Sequence, residues 1–215
     1  MKPKQQLLWV LMLVIGNIGF AQDSGEPKNR RLNEISIAFS NSQPAMPFGK
    51  FTTLFTGNHH PGIGLPTYFN WKTKPKHDWT QAFNLAYSYH RWVQHSIVLY
   101  TETGYRYKLP AGFSIDSKFG LGYMRSIVAT ETFSDGMEDG KQYSKITSGR
   151  SQTVASLSFG VSKKINPSRG CRVFLYYQQR IQTPFIQSYV PLLPYSIVKA
   201  GIGLPLNANR KNKKS

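Results

Sequence analysis

After residue 32 the chain repeats one device eight times: side chains at every second position are apolar or aromatic. The runs are Ile35 to Phe39, Ile63 to Trp71, Phe83 to Tyr89, Ile97 to Tyr107, Phe113 to Tyr123, Thr153 to Val161, Cys171 to Tyr177 (with Ile181 beyond) and Val198 to Leu204. Successive side chains of a strand point to opposite faces, so each run is one face of a strand. A helix would need recurrence every three or four residues, so the pattern excludes a helical core.

The charged residues test that assignment, because the apolar residues alone define it. Within the strands that these runs mark they are Glu34, Glu102, Arg106, Asp116, Lys118, Arg172, Arg180 and Lys199, and all eight fall on the face opposite the apolar one. A soluble sandwich also alternates, but its charged face meets water and its apolar face meets a second sheet. Here the charged face is rich in small residues, among them Ala82, Ala86, Ser88, Gly104, Gly120, Gly122, Ser156, Ser158, Gly160, Gly201 and Gly203. Small residues suit the crowded interior of a narrow closed sheet, where eight strands leave room only for side chains. The apolar face then looks into hydrocarbon, where an Arg or Lys at the midplane costs roughly 2–4 kcal/mol. The expected fold class is all-β, an eight-stranded antiparallel up-and-down transmembrane β-barrel.

The connections fit. Thr73 to Asp78, Lys108 to Gly112 and Ile165 to Gly170 are short and hold Pro, Gly or Asn, as turns do. The intervening connections run about 41–62, 90–96, 124–151 and 182–195, and three of these four are long. Short turns on one side and long loops on the other are the pattern of outer-membrane barrels, and an even strand count puts both ends of the chain on the turn side. Trp71, Tyr105, Tyr107 and Phe113 at the turn ends, with Tyr87, Tyr89, Trp92 and Tyr123 at the loop ends, outline two aromatic belts. Pro66 sits inside the second run, so either the strand bulges there or its pairing begins beyond it.

The first 21 residues read as a cleaved secretory signal. Lys2 and Lys4 precede the apolar run Leu7 to Ile15, and Gly19-Phe20-Ala21 ends in small residues. Nine strongly apolar residues are too few for a spanning helix, which needs roughly 20. Residue 22 is Gln rather than Cys, which argues against a lipid-anchored terminus. Removing Lys2 and Lys4 lowers the formal charge from +17 to +15. In an exported chain that charge points to anionic lipid and lipopolysaccharide phosphate, not to nucleic acid. The lone Cys171 forms no internal disulfide, and a mean hydropathy of −0.37 excludes a helical membrane bundle. The chain therefore divides into a signal peptide (1–21), an N-terminal periplasmic segment (22–32), the barrel (33–206) and a basic tail (207–215).

On these residues the chain resembles the small outer-membrane barrels, the eight-stranded OmpA/OmpX-type group and the broader outer-membrane β-barrel families, over about residues 33–206. The last strand carries the most specific piece. Lys199-Ala200-Gly201-Ile202-Gly203-Leu204-Pro205-Leu206 fits the terminal pattern of polar residue, glycine and spaced hydrophobics, with Lys199, Gly201, Leu204 and Leu206 at its fixed positions. The resemblance implies that the barrel assembly machinery recognises this strand. It departs from the family in ending on Leu206 and a basic tail rather than an aromatic residue.

Three constellations bear on chemistry. The eight interior charges are read as a lumen network, with the surplus of cations as a candidate anion site; on the fourth and fifth strands one register pairs Glu102 with Lys118, and a shift of two pairs Arg106 with Asp116. Some barrels of the resembling group modify lipid A. Ser88 and His90 share one face and are the candidate catalytic pair, but the expected register puts Glu102 opposite Asn84, six residues from His90. Their deacylase's His-any-Ser motif is absent there too. His59, His60, His90 and His95 gather at the loop end without a ligand spacing, and Asp135, Glu138 and Asp139 lack the calcium-loop spacing, so no metal or other cofactor is expected. The function expected is that of an outer-membrane protein with a structural or surface-interaction role. A lipid A acyl hydrolase or transferase and a conduit for small apolar solutes are the alternatives, and the extracellular ligand is unknown.

Overall fold

Eight strands pair edge to edge until the last meets the first, so the sheet has no free edge. The computed structural model describes residues 32–45, 53–56, 59–90, 94–128, 133–134, 144–145, 149–165, 170–184 and 191–206. The elements are β1 (Leu32–Pro44), the short helix α1 (Thr53–Thr56), β2 (Pro61–Thr73), β3 (His77–His90), β4 (Gln94–Lys108) and β5 (Phe113–Val128). Next come the two-residue strands β6 (Phe133–Ser134) and β7 (Ser144–Lys145), then β8 (Arg150–Lys164), β9 (Arg172–Thr183) and β10 (Leu193–Pro205). The barrel order is β1-β10-β9-β8-β5-β4-β3-β2, with every neighbour antiparallel. β6 and β7, within the β5–β8 connection, pair with each other in a separate two-stranded sheet. This is the eight-stranded up-and-down barrel that the alternation predicts.

The faces are as read. Phe39, Leu99, Phe119, Leu175 and Ile202 point outward and are exposed, while the alternating Ser36, Tyr100, Lys118, Tyr176 and Gly203 are buried. The contrast is sharp within one strand: Phe39 is 66% exposed and Ser36 0%. An exterior so apolar all round has no second sheet to cover it, and hydrocarbon is the medium it fits.

Three details differ from expectation. First, the strands outrun the alternating segments, so the connections are shorter: β1 continues to Pro44, β5 to Val128, and β9 to Thr183. About 9–11 tilted residues cross a bilayer, and the barrel strands have 12 to 16; the apolar signal stops where hydrocarbon stops, but the backbone ladder goes on. Second, Pro66 neither bulges β2 nor delays it. It pairs with Asn84 of β3, while the β1 side has no bridge pair at Pro66 and resumes in the same register at Ala38↔Gly64. The missing N–H is thus confined to one ladder. Bulges fall elsewhere, at Leu32/Glu34 and Asn70/Lys72. Third, the outer face is not uniformly apolar. Gln81 lies on it, bonded to Thr101 and accepting from Thr103 at 2.8 Å, and Tyr177, Gln179 and Ser196 form a second self-bonded group. These internal hydrogen bonds satisfy most of the polar atoms, which lowers the cost of facing lipid; Gln179 Oε1 has no partner among the described residues. Arg125 and Lys163 also face outward, at strand ends, where Arg125 bonds to Ser151 at 2.9 Å and Lys163 lies 4.5 Å from the Phe113 ring centre. Long cationic side chains reach the headgroup level from there.

The turn side is tight. Pro110-Ala111-Gly112 joins β4 to β5, with φ of 58° at Ala111 and 77° at Gly112. Left-handed backbone favours glycine, so Ala111 is held there against its preference.

Candidate functional site: the charged lumen

Inward-facing side chains occupy much of the barrel interior, and their charged members sort into two layers. Nearest the turns, every carboxylate meets a cation. Arg106 Nε lies 2.5 Å from Asp116 Oδ1, Arg172 Nη2 3.2 Å from Glu34 Oε2, and Lys108 Nζ 2.7 Å from Asp78 Oδ1. Asp116 Oδ2 also accepts from Ser162 Oγ (2.7 Å) and Tyr176 Oη (3.0 Å), so one carboxylate ties β4, β5, β8 and β9 together. The ladder aligns Arg106 with Asp116 and Glu102 with Gly120, which decides between the two registers that the sequence leaves open.

Toward the loops the chemistry changes. Glu102 is buried, and its partners are neutral: Oε1 accepts from Ser158 Oγ (2.9 Å) and Gln178 Nε2 (3.1 Å), and Oε2 from Asn84 Nδ2 (3.2 Å). Lys118 donates to Tyr68 Oη at 3.0 Å and lies 3.8 Å from the Tyr176 ring centre. Lys199 donates to Tyr100 Oη at 2.5 Å, and Arg180 reaches Gln178 Oε1 at 3.5 Å. The three cations thus rest on tyrosines rather than on carboxylates. These groups border a chamber whose wall on β1, β2 and β3 is made of Ala38, Ser40, Gly64, Pro66, Ala86 and Ser88.

All eight predicted interior charges do face inward. Asp78 and Lys108, missed because their strand ends lie outside the apolar runs, join them. The lumen tyrosines Tyr68, Tyr100 and Tyr176 were also missed. Parity would have found them, since each has the opposite parity to its apolar neighbours. Of the terminal-strand positions, Lys199 points into the chamber and Leu204 outward to the apolar surface.

The candidate catalytic pair does not come together with an acid. Ser88 Oγ is 2.6 Å from Ser96 Oγ. His90 stacks on His60 with ring centres 3.6 Å apart and planes 10° from parallel, and Tyr195 meets His90 edge-on. The true ladder sets Glu102 opposite Ala82 rather than Asn84. The expected six-residue separation becomes eight, about 26 Å along the strand. Of the loop-end histidines, His60 and His90 are therefore brought together. His95 turns outward to Tyr87 Oη at 2.7 Å, and His77 packs on Tyr105 at the turn end. Among the described residues no three His, Cys, Asp or Glu side chains are placed to hold a metal. Residues 1–31, Asp135, Glu138, Asp139, Trp92 and the basic tail lie outside the described residues.

At the rim, Asn41 pins the chain that enters β2: its Nδ2 donates to Leu54 O (2.6 Å), and its Oδ1 accepts from His60 N (2.8 Å). Leu54 of α1 is buried. His60 lies outside the strands, and burial, followed by the neighbouring His90 and then His59, lowers its pKa below the usual histidine value.

No family model and no curated protein sequence matches the chain. Among solved structures it is similar to Neisserial surface protein A, at 10% identity over 80% of this chain and 96% of that one, with a TM-score of 0.47. It is similar also to the outer-membrane enzyme PagL, at 12% over 80% and 99% with a TM-score of 0.46. A third is Ail, the attachment invasion locus protein of Yersinia pestis, at 13% over 81% and 96% with a TM-score of 0.44. At these identities the likeness is one of fold.

Proposed function

We propose that the chain is an integral barrel of a Gram-negative outer membrane, exported through a cleaved signal at residues 1–21, whose filled lumen serves as a rigid platform for surface loops. The observation that carries this reading is the combination of an apolar exterior with an interior locked by Arg106–Asp116, Arg172–Glu34 and Lys108–Asp78. Such a wall resists deformation and offers no solute path. What remains for recognition is the loop end, where Asn41 and the His60–His90 stack hold the rim in place. Lipid and lipopolysaccharide are its surroundings, the assembly machinery its route of insertion through the β10 pattern, and an extracellular partner its target through the 129–149 connection.

The lipid A-modifying reading lacks support from the geometry, because Ser88, His90 and Glu102 form no relay. Fractionation with protease treatment of intact cells tests the proposal. The protein should appear in the outer-membrane fraction, run with heat-modifiable mobility, and be cut from outside within 129–149. Recovery in the soluble periplasm would overturn it, and so would a lipid A profile that changes on deletion of the gene and stays changed when Ser88→Ala is supplied.

A further inference from the structure

We infer that the chamber bounded by Lys118, Arg180 and Lys199 is a binding site for one small monovalent anion of about chloride size. Near the turns each carboxylate has its cation. In this chamber three cations face one carboxylate, and none of the three is ion-paired among the described residues. Glu102 forms no ion pair with any of the three among the described residues; its oxygens accept from the neutral Ser158, Gln178 and Asn84. Two positive charges are left in excess within a wall that faces hydrocarbon.

Burying unpaired charge is expensive. The tyrosine rings beside Lys118 and Lys199 offset part of it. Donor capacity also remains. An ammonium has three N–H groups, and Lys118 and Lys199 each spend one on a tyrosine hydroxyl. Arg180 makes a single long bond to Gln178. The cavity between them, of about 30 Å³, suits one halide with a water or two waters alone, and is too tight for a nucleotide or sugar phosphate. The chamber adjoins the loop end: Ser88 and Arg180 line both it and the rim pocket bordered by His90, Gln94 and Tyr195.

The test uses the processed barrel refolded in uncharged detergent, with urea unfolding followed at fixed ionic strength while sodium chloride replaces sodium gluconate. An anion bound only by the folded state raises the midpoint and the rise saturates. Lys199→Met is expected to weaken the apparent chloride affinity by about tenfold or more, the loss of one charge-assisted contact. Glu102→Gln keeps an acceptor for Asn84 while removing the repelling charge, and so is expected to strengthen it. Equal midpoints in chloride and gluconate for the unmutated barrel would overturn the inference, as would a chloride effect undiminished in both Lys199→Met and Arg180→Met. Phosphate acting as well as chloride would overturn the assignment to a small monovalent ion.

Discussion

Asp116 is the residue on which most of the interior depends, because its two oxygens serve Arg106, Ser162 and Tyr176 at once. Arg106 is 3% exposed, so removing the carboxylate leaves a buried guanidinium without its counterion. Breaking one side of such a pair costs about 3–5 kcal/mol, whereas replacing both sides with apolar groups is often near neutral. Asp116→Ala should therefore lower the urea midpoint of the micellar barrel far more than the double change Arg106→Met, Asp116→Leu; equal losses would mean that the pair stabilises nothing beyond its volume. His60 gives a second residue-scale prediction, this one in pH. Its folded pKa lies below the ordinary histidine value of 6.5, owing to burial and then to His90 and His59. The folded state therefore binds the proton less readily than the unfolded one. The stability present above 6.5 is lost as the pH falls below that value and on through the lower folded one. The groups facing the stack are His59, His90, Tyr195 against His90, and Arg180 along the pocket wall. Urea midpoints measured on either side of this window should diverge, and His60→Phe, which keeps a ring for the stack, should bring them closer together. A midpoint difference that is the same in His60→Phe would assign the effect to other groups.

At the scale of the strand, register is pinned by size. In the middle of the β4–β5 ladder Tyr100 faces Gly122, Glu102 faces Gly120 and Lys118 faces Gly104, so these three long interior side chains lie opposite no side chain, while Arg106 lies opposite its partner Asp116. The alternative register would have put Glu102 beside Lys118 and Gly104 beside Asp116. A Cβ at position 122 would sit 2.2 Å from Tyr100 Cβ and 2.3 Å from Leu99 O, whereas at Gly64 the nearest neighbour is Ala86 Cβ at 3.6 Å. Gly122→Val should thus cost about 1–3 kcal/mol or block assembly, while Gly64→Ala should assemble normally; the heat-modifiable fraction of each variant reads the difference, and equal fractions would refute the size argument. The same comparison explains what was legible in the sequence. The faces were, because hydrocarbon enforces alternation residue by residue. Strand ends were not, since Arg150 to Gln152 and Gln178 to Thr183 continue the ladder with side chains that, Ile181 apart, are polar. Register was not read because charge pairing alone allowed two answers; the glycines opposite the large residues held the signal that separates them. The tyrosine-lined chamber depends on contacts between non-adjacent strands, such as Lys199 with Tyr100, which no local pattern encodes.

For the whole molecule, the question is whether the barrel conducts. Eight strands leave an interior that side chains can fill, and here Tyr68, Tyr100, Phe174 and Tyr176 fill it, all at 5% exposure or less. The unmutated protein in a planar bilayer should show no steps above baseline. Tyr100 and Tyr176 are the side chains to remove, because they lie on opposite sides of the chamber cations: Tyr100 holds Lys199, and Tyr176 underlies Lys118. Truncating both to alanine keeps the ladders and the outer face but takes away two of the rings that fill the lumen around the chamber. The widened lumen is then lined by Lys118, Arg180 and Lys199, now without these tyrosine neighbours, with Glu102 the only carboxylate lining the chamber among the described residues. A constriction lined by cations selects anions. Tyr100→Ala, Tyr176→Ala should therefore give small steps whose reversal potential, in a potassium chloride gradient, shifts toward the chloride value. A shift toward potassium would mean that the carboxylates, not the cations, set the field in the lumen. Conductance in the unmutated barrel would mean that the interior packing does not close it.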